Sequence, residues 1–196
     1  MQSNLAYKLE AYQEERQMEM IDGKIVMMAS PTLNHVFIAG NIHRIFSEYL
    51  DGKPCTPIPD GAALFLEKGE EYKPDMMVVC DPTKLKPNGV HGAPDLAVEI
   101  LSPSTAKNDK SHKKDVYERC GVREYWIVSP GDRSVEQYVL ENGRFVLRDV
   151  YHQYPAFMLE NMTEEEKAAV TTEFQCTLFD GLVIRVDDIF RRVVPV

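Results

Sequence analysis

Two short, almost wholly apolar runs, Met76 to Cys80 and Leu96 to Leu101, each follow directly on a Pro-Asp pair, and the second carries a glutamate, Glu99, in its middle. Runs of this length and β-branched content read as strands with both faces covered. A helical pattern follows over Asn108 to Cys120, with Gly121 placed to end it. Two more strand-like runs, Glu124 to Val128 and Ser134 to Leu140, come next, and Asn142-Gly143 turns the chain into Arg144 to Val150. This order predicts an α/β fold: a mixed central β-sheet flanked by helices.

The flanks add smaller elements. Residues 6–17 are polar and helix-permissive, and Asp22-Gly23 between Met18 and Met28 is a two-residue hairpin signal. Val36, Ile38, Ala39, Ile42, Ile45, Phe46, Tyr49 and Leu50 recur at helical spacing, with Asp51-Gly52 as the stop. Pro54 to Pro59 reads as a proline-punctuated connection and Ala62 to Glu67 as a short strand. The stretch with Pro82, Pro87, Asn88, Gly89 and Gly92 reads as a surface loop. Thr163-Glu-Glu-Glu166 has the form of a capping box, and the chain closes on Leu182 to Val186 as a strand and an amphipathic segment over Val186 to Val194.

With 196 residues, 44% of them hydrophobic, one core and a single domain over 1–196 are expected. The formal charge of -9, from 31 acidic and 22 basic residues, opposes indiscriminate adhesion to DNA or an anionic membrane. A nucleic-acid substrate therefore needs a local basic patch, a metal or a dimer groove. Cys55, Cys80, Cys120 and Cys176 form no Cys-x-x-Cys pair, so neither a zinc knuckle nor a disulfide framework is indicated and reduced thiols are expected. No signal-peptide pattern and no apolar run long enough for a membrane span are present, and a cytoplasmic location is expected.

If the two central runs pair as antiparallel neighbours, the start of the first lies beside the end of the second, and Asp75 meets Glu99. Asp95, four residues before Glu99, would be roughly 13 Å away along the strand and reads as a turn cap before a ligand. A carboxylate within Leu-Ala-Val-Glu-Ile-Leu needs a partner, a proton or a cation; a salt bridge to a helical Lys or Arg serves that need as well as a metal does. Val116, Tyr117 and Cys120 mark the buried stripe of the helix. Stepping back three and four residues puts Asp109, His112 and Lys113 on that side, with Lys110 and Lys114 outside. Lys113 over the sheet would stabilise charge on a phosphorane or help to orient and deprotonate water. Between Lys107 and Glu124, six Lys/Arg against four Asp/Glu reverse the sign of the whole chain where a phosphate backbone would approach. Ser102, Ser104 and Thr105 read either as phosphate donors or as turn and cap residues, and Tyr125 and Trp126 as core.

These segments together resemble the Uma2 family of the PD-(D/E)XK restriction-endonuclease-like superfamily. The resemblance runs over about residues 7–190 and rests on Met18-Glu-Met-Ile-Asp-Gly-Lys-Ile-Val26, Ser30-Pro-Thr-Leu-Asn-His35, Lys73-Pro-Asp75, Ala93-Pro-Asp-Leu-Ala-Val-Glu-Ile-Leu-Ser-Pro-Ser-Thr105, Asp109 with Lys113 and Tyr117, and Gly121-Val-Arg-Glu-Tyr-Trp-Ile-Val128. It implies a restriction-endonuclease-like sheet with an added N-terminal hairpin and C-terminal strands, and a Mg2+- or Mn2+-dependent endonuclease acting on DNA, with homodimerisation by analogy. Asp75 and Glu99 match the metal-binding acidic positions. The usual acidic-x-Lys tripeptide reads Glu99-Ile100-Leu101 here, and Lys113 matches the helical lysine of the family. Glu19 and His35 fall in family-like segments, Glu19 as a second-metal carboxylate and His35 as a substrate contact or accessory base. The rival expectations are a noncatalytic nuclease-like scaffold that binds protein or nucleic acid, and a metal-dependent phosphatase or nucleotidase.

Overall fold

The computed structural model describes residues 17–194, so all but the last residue of the helix-permissive stretch over 6–17 lies outside the described residues. The chain enters through β1 (Met18–Ile21) and β2 (Lys24–Met27), joined by the expected tight turn with Asp22 and Gly23 at positive φ of 55° and 73°. Next is α1 (Leu33–Leu50), capped by Thr32, whose side chain accepts from the His35 amide. Its Ile38, Ile42, Phe46 and Leu50, spaced by four, form the buried stripe.

After α1 the chain departs from the expected connection. Thr56–Pro59 is a strand, β3, antiparallel to β6 (Met76–Val79). Its prolines are two positions apart, so both missing N–H groups fall on one side, the open edge of the sheet, where no ladder bond is lost. The register Thr56↔Val79 puts the next outward pair, Cys55 and Cys80, face to face with Cα atoms 3.9 Å apart, and they form a disulfide. The expectation of four reduced thiols is corrected here, because strand pairing joins cysteines that sequence spacing keeps apart. Cys120 and Cys176 are free. Titration of the denatured, unreduced chain is expected to give two thiols and, after reduction, four; four before reduction would exclude the bond.

Between β3 and β6 lie β4 (Leu64–Phe65) and β5 (Glu71–Tyr72). Beyond β6, the stretch expected to be a loop holds a 3-10 turn at Pro82–Lys84 and a strand pair, β7 (Leu85–Lys86) and β8 (Gly89–His91). Gly89, at φ 138°, is required there: a Cβ would come within 2.3 Å of the Ala63 carbonyl oxygen, which accepts from the Val90 amide. These short strands complete a sheet in the order β2-β1-β5-β4-β8-β7.

The central sheet continues with β9 (Leu96–Ile100). The helical region after it is two helices rather than one, α2 (Ala106–Lys110) and α3 (His112–Cys120). Ser111 breaks it at φ -127°, ψ -90°, with its hydroxyl donating to the Lys107 carbonyl; that side-chain bond competes with the helical ladder. Gly121 ends α3 in the left-handed conformation, as its position suggested. Then β10 (Glu124–Ser129), β11 (Ser134–Glu141) and β12 (Arg144–His152) form the meander, giving a mixed sheet in the order β12-β11-β10-β9-β6-β3 in which β9 and β10 are parallel. α4 (Ala156–Asn161), α5 (Glu164–Ala169) with the capping box at Thr163, the pair β13 (Glu173–Gln175) and β14 (Val183–Arg185), and α6 (Val186–Ile189) close the described chain.

Side-chain alternation sorts the central sheet into two faces. Met76, Val78, Leu96, Val98, Ile100, Trp126 and Val128 pack with α1 and the C-terminal elements. Met77, Val79, Ala97, Tyr125 and Ile127 pack with Val116 and Tyr117 of α3 and with Leu64, Tyr72 and Val90 of the smaller sheet. Tyr125 and Trp126 are core, and no described helix is long and apolar enough to cross a membrane.

Candidate active site

The phase of β6 and β9 decides where their acids point. Asp75 is in phase with Met77, and Glu99 with Ala97, so both aim at the face that carries α3. The antiparallel register Met76↔Val98, carried one step outward, sets Asp75 opposite Glu99. The Ile100 amide donates to Asp75 Oδ2 at 2.6 Å, tying the end of one strand to the start of the other. Asp95 lies at the far end of the pair, where its Oδ2 accepts from the Cys80 amide and Oδ1 from Arg123, so it serves as a cap.

From α3, Lys113 reaches into this face with only 1% of its surface exposed. Its Nζ donates to Glu19 Oε1 at 2.8 Å and to Glu99 Oε1 at 3.2 Å, and Asp109 Oδ1 lies 3.4 Å away, one helical turn back. Glu19 arrives from β1 in the smaller sheet and also accepts from the Lys73 amide. Tyr117 O–H donates to the same Glu99 Oε1 at 2.7 Å. All these bonds end on Oε1. Glu99 Oε2 receives no hydrogen bond from the described residues, and Glu99 lines a cleft of ≈ 990 Å³.

At the mouth of that cleft, His35 Nε2 is 2.8 Å from Asp75 Oδ1, which places the ring proton on Nε2. The first turn of α1 positions it. Thus the five residues singled out in the sequence, Asp75, Glu99, Lys113, Glu19 and His35, converge, although they come from five separate elements or their ends. The sequence reading missed two contributors. Tyr117 was assigned only to the core, and Asp60, between β3 and β4, lies on the cleft wall close enough to Asp75 for their charges to interact. Nothing in Pro59-Asp60-Gly61 distinguishes that aspartate from an ordinary turn residue.

The site is electrostatically loaded. Burial pushes the Glu99 carboxyl well above its usual range, and Asp109, Asp75 and Glu19 add to the push against the opposing charge of Lys113. Asp109 is raised in the same way, by burial first. Burial alone would lower Lys113, but Glu99, Glu19 and Asp109 outweigh it and hold the amine protonated. These charges favour the ammonium form, which suits Lys113 to stabilising charge better than to deprotonating water. For His35 burial also acts downward, and the bond to Asp75 with the Asp75 charge raises it overall.

Two expectations about the surroundings change. Of the basic residues over 107–124 only Lys113 lines the cleft; Lys110 pairs with Glu136, Arg119 with Glu67 and Arg123 with Asp95, and Lys114 lies over the Tyr138 ring. Ser102 shares hydrogen bonds with Ser104 and Thr105, so these hydroxyls cap one another at the cleft edge. Elsewhere, Asp22, Glu70 and His112 bring one ligand-type atom each within 4.8 Å of one another. Glu70 is already the acceptor for Tyr72, the Asp22 amide and His112, with Arg119 close by, which makes the group a saturated hydrogen-bond node.

A family model described as "Uma2: Putative restriction endonuclease" matches residues 5–171. The chain belongs to the Uma2 family. It is 31% identical over 144 residues to Uncharacterized protein slr1290 of Synechocystis sp., covering 71% of this chain and 70% of that one. A second protein of that organism, Uncharacterized protein sll1609, is 27% identical over 124 residues, 61% of this chain and 70% of its own. Among solved structures, a chain described as a "putative nuclease belonging to DUF820" from Anabaena variabilis superposes with a TM-score of 0.62 at 17% identity over 90% of each chain. The chain thus shares the restriction-endonuclease-like fold of that structure, and its family is one described as putative restriction endonucleases.

Proposed function

We propose that this Uma2 protein is a Mg2+- or Mn2+-dependent endonuclease that hydrolyses DNA phosphodiester bonds. Asp75 and Glu99 are the ligands of the cation, Lys113 neutralises charge on the phosphate, and Glu19 and His35 support them. The observation that carries this reading is the unbalanced charge around Glu99. Asp75, Glu99, Glu19 and Asp109 are each at least nine-tenths buried, and face one buried ammonium and one half-buried imidazole. With Lys113 charged, the excess is three negative charges, or two with His35 protonated, and burial makes such an excess costly unless protons or a cation compensate it. The donors are hard carboxylate oxygens, the class that suits Mg2+ and Mn2+. Glu99 Oε2, free of hydrogen bonds from the described residues on a side chain that lines the cleft, is an open ligand atom.

A bound divalent ion supplies two things, a lowered pKa for water and polarisation of a phosphoryl oxygen. The chain's own residues do the rest. The Ile100 amide and His35 fix both oxygens of Asp75, and Tyr117 and Lys113 fix Oε1 of Glu99 so that its other oxygen keeps one direction. Such outer partners set the orientation of ligand side chains. Lys113 presents permanent positive charge beside the acids, which suits a reaction whose demand is positioning and charge rather than a covalent nucleophile. Cutting both strands of a duplex calls for two such sites, and we propose a homodimer as the active form.

The decisive assay incubates supercoiled plasmid with protein in Mg2+, Mn2+ or EDTA, with Mn2+ affinity measured by calorimetry. Nicking that requires metal, together with saturable Mn2+ uptake, is the expected result. One observation favours a noncatalytic scaffold instead: Glu19 and Glu99 already neutralise Lys113, and four of the six neighbouring cationic side chains are in ion pairs with carboxylates. Absence of Mn2+ uptake at millimolar concentration would favour that reading, while preference for free nucleotides over plasmid would favour a phosphatase.

A further inference from the structure

Asp109 enters the proposed function only through its charge, with no role of its own. Its carboxyl is enclosed, with 1% of the residue exposed; neither oxygen has a partner at hydrogen-bond geometry among the described residues, and the Thr105 hydroxyl lies near enough only to ease its charge. A carboxylate left in that state costs far more than an apolar side chain of the same size, so a purely structural role explains it poorly. It lies on α2 at the position four residues before Lys113, with Oδ1 3.4 Å from Nζ, longer than a good hydrogen bond. An ammonium has three N–H groups. Lys113 gives two of them to Glu19 and Glu99, and Asp109 is the one further carboxylate near Nζ among the described residues.

We propose that Asp109 is a positioning residue that takes up the ammonium of Lys113 when a divalent cation occupies Glu99. The inference rests on the metal-dependent reading above. A cation on Glu99 withdraws that carboxylate's charge from Lys113 and repels the ammonium, so the lysine needs another anionic acceptor close to where it already lies. Glu19 Oε1 already accepts from both Lys113 and the Lys73 amide. Asp109 has both oxygens free, and a shift of a few tenths of an ångström makes a normal hydrogen bond. In the absence of the ion Asp109 shares Lys113 with Glu19 and Glu99 and is the most distant of the three; in its presence it keeps Lys113 in place beside the phosphate instead of letting it be expelled. Asp109 does not line the cleft, which sets it behind Lys113 rather than against a substrate.

The test is Asp109→Asn, with Mn2+ alone as the probe. The variant is expected to melt about 2–6 °C higher than wild type without metal, because one of four buried carboxylates gathered around a single ammonium loses its charge, and to bind Mn2+ about tenfold more weakly. In a Lys113→Met background, where there is no ammonium to hold, the same substitution is expected to change Mn2+ affinity less than twofold. An unchanged affinity for Asp109→Asn, or a tenfold loss that persists in the Lys113→Met background, overturns the proposal, the latter by making Asp109 act on the ion independently of the lysine. If the double variant does not fold, NMR of the Lys113 ammonium decides: Mg2+ is expected to shift its nitrogen resonance in wild type and not in Asp109→Asn, and an equal shift in both overturns the proposal. Wild-type protein that takes up no Mn2+ removes the nuclease reading itself, whereas wild-type uptake with an indifferent Asp109→Asn removes this inference alone.

Discussion

Replacing Lys113 with methionine is expected to reduce plasmid cleavage about 10²- to 10³-fold, the loss that follows removal of one preorganised electrostatic group, and to lower the melting temperature of metal-free protein by about 6–20 °C. The second figure follows from the geometry. Lys113 is the only cation in contact with the buried carboxylates of Glu19 and Glu99 among the described residues. Taking one member out of a buried ion-pair group costs about 3–5 kcal/mol, and in a chain of this length each kcal/mol moves the midpoint by about 2–4 °C. The pH dependence has a definite sign. The folded-state pKa of Lys113 is raised, so its own contribution is complete below the unfolded value near 10.5 and is lost only at still higher pH. Between pH 5 and 9 it is constant. The carboxyls left behind are also raised, Glu99 and Asp109 above 4.5 and 3.8 respectively, so they accept protons more readily folded than unfolded. The deficit of the methionine variant should therefore be greatest near pH 8 and shrink as pH falls towards 5. A deficit independent of pH would mean that Lys113 contributes through its packed stem and not its charge. Complete burial of the ammonium is why stability is lost along with activity.

The parts of this site legible in the sequence are those governed by periodicity. Alternation places Asp75 and Glu99 on one face once antiparallel pairing is assumed, and the helical period places Lys113 with Val116 and Tyr117 on the side that meets that face. Gly121 and Asp22-Gly23 mark turns because their backbone conformations restrict which residues can occupy them. What was not legible depends on pairings between distant segments. β3 is concealed by Pro57 and Pro59, which argue against a strand until its edge position is known, and the Cys55–Cys80 bond is concealed with it, because the same pairing brings the cysteines together. Two-residue strands such as β4, β5 and β7 are too short to show any period. The fate of the basic residues is hidden for the same reason: Arg119 and Lys110 look available in sequence, and only the fold brings Glu67 and Glu136 to them. The saturation of Glu70 and the isolation of Asp109 are likewise properties of neighbours, not of either residue's place along the chain.

Glu99→Gln is expected to abolish both Mn2+ binding and cleavage, to the level of EDTA-treated wild type, while the metal-free protein melts within about 3 °C of wild type or higher. Glutamine keeps a carbonyl oxygen where Oε1 accepts from Tyr117 and Lys113, and what it removes is a charge that burial already disfavours. Since the Glu99 pKa is raised in the folded state, the carboxylate weakens the fold increasingly as pH rises above 4.5, and any gain from glutamine should appear in that range and vanish below it. Asp75→Asn is expected to abolish the same activities but with a stability loss of about 1–3 kcal/mol, because both oxygens of Asp75 are acceptors, from the Ile100 amide and from His35, and an amide group turns one of those contacts into donor against donor. The pair of variants separates chemistry from architecture. If Glu99 were only the structural partner of Lys113, its glutamine variant would lose several degrees of stability, since Lys113 would keep fewer anions, and Mn2+ uptake would be indifferent to the change. A stable Glu99→Gln protein that no longer takes up metal is the result that a cation site at Asp75 and Glu99 requires, and a destabilised one that still binds Mn2+ moves the site elsewhere in the fold.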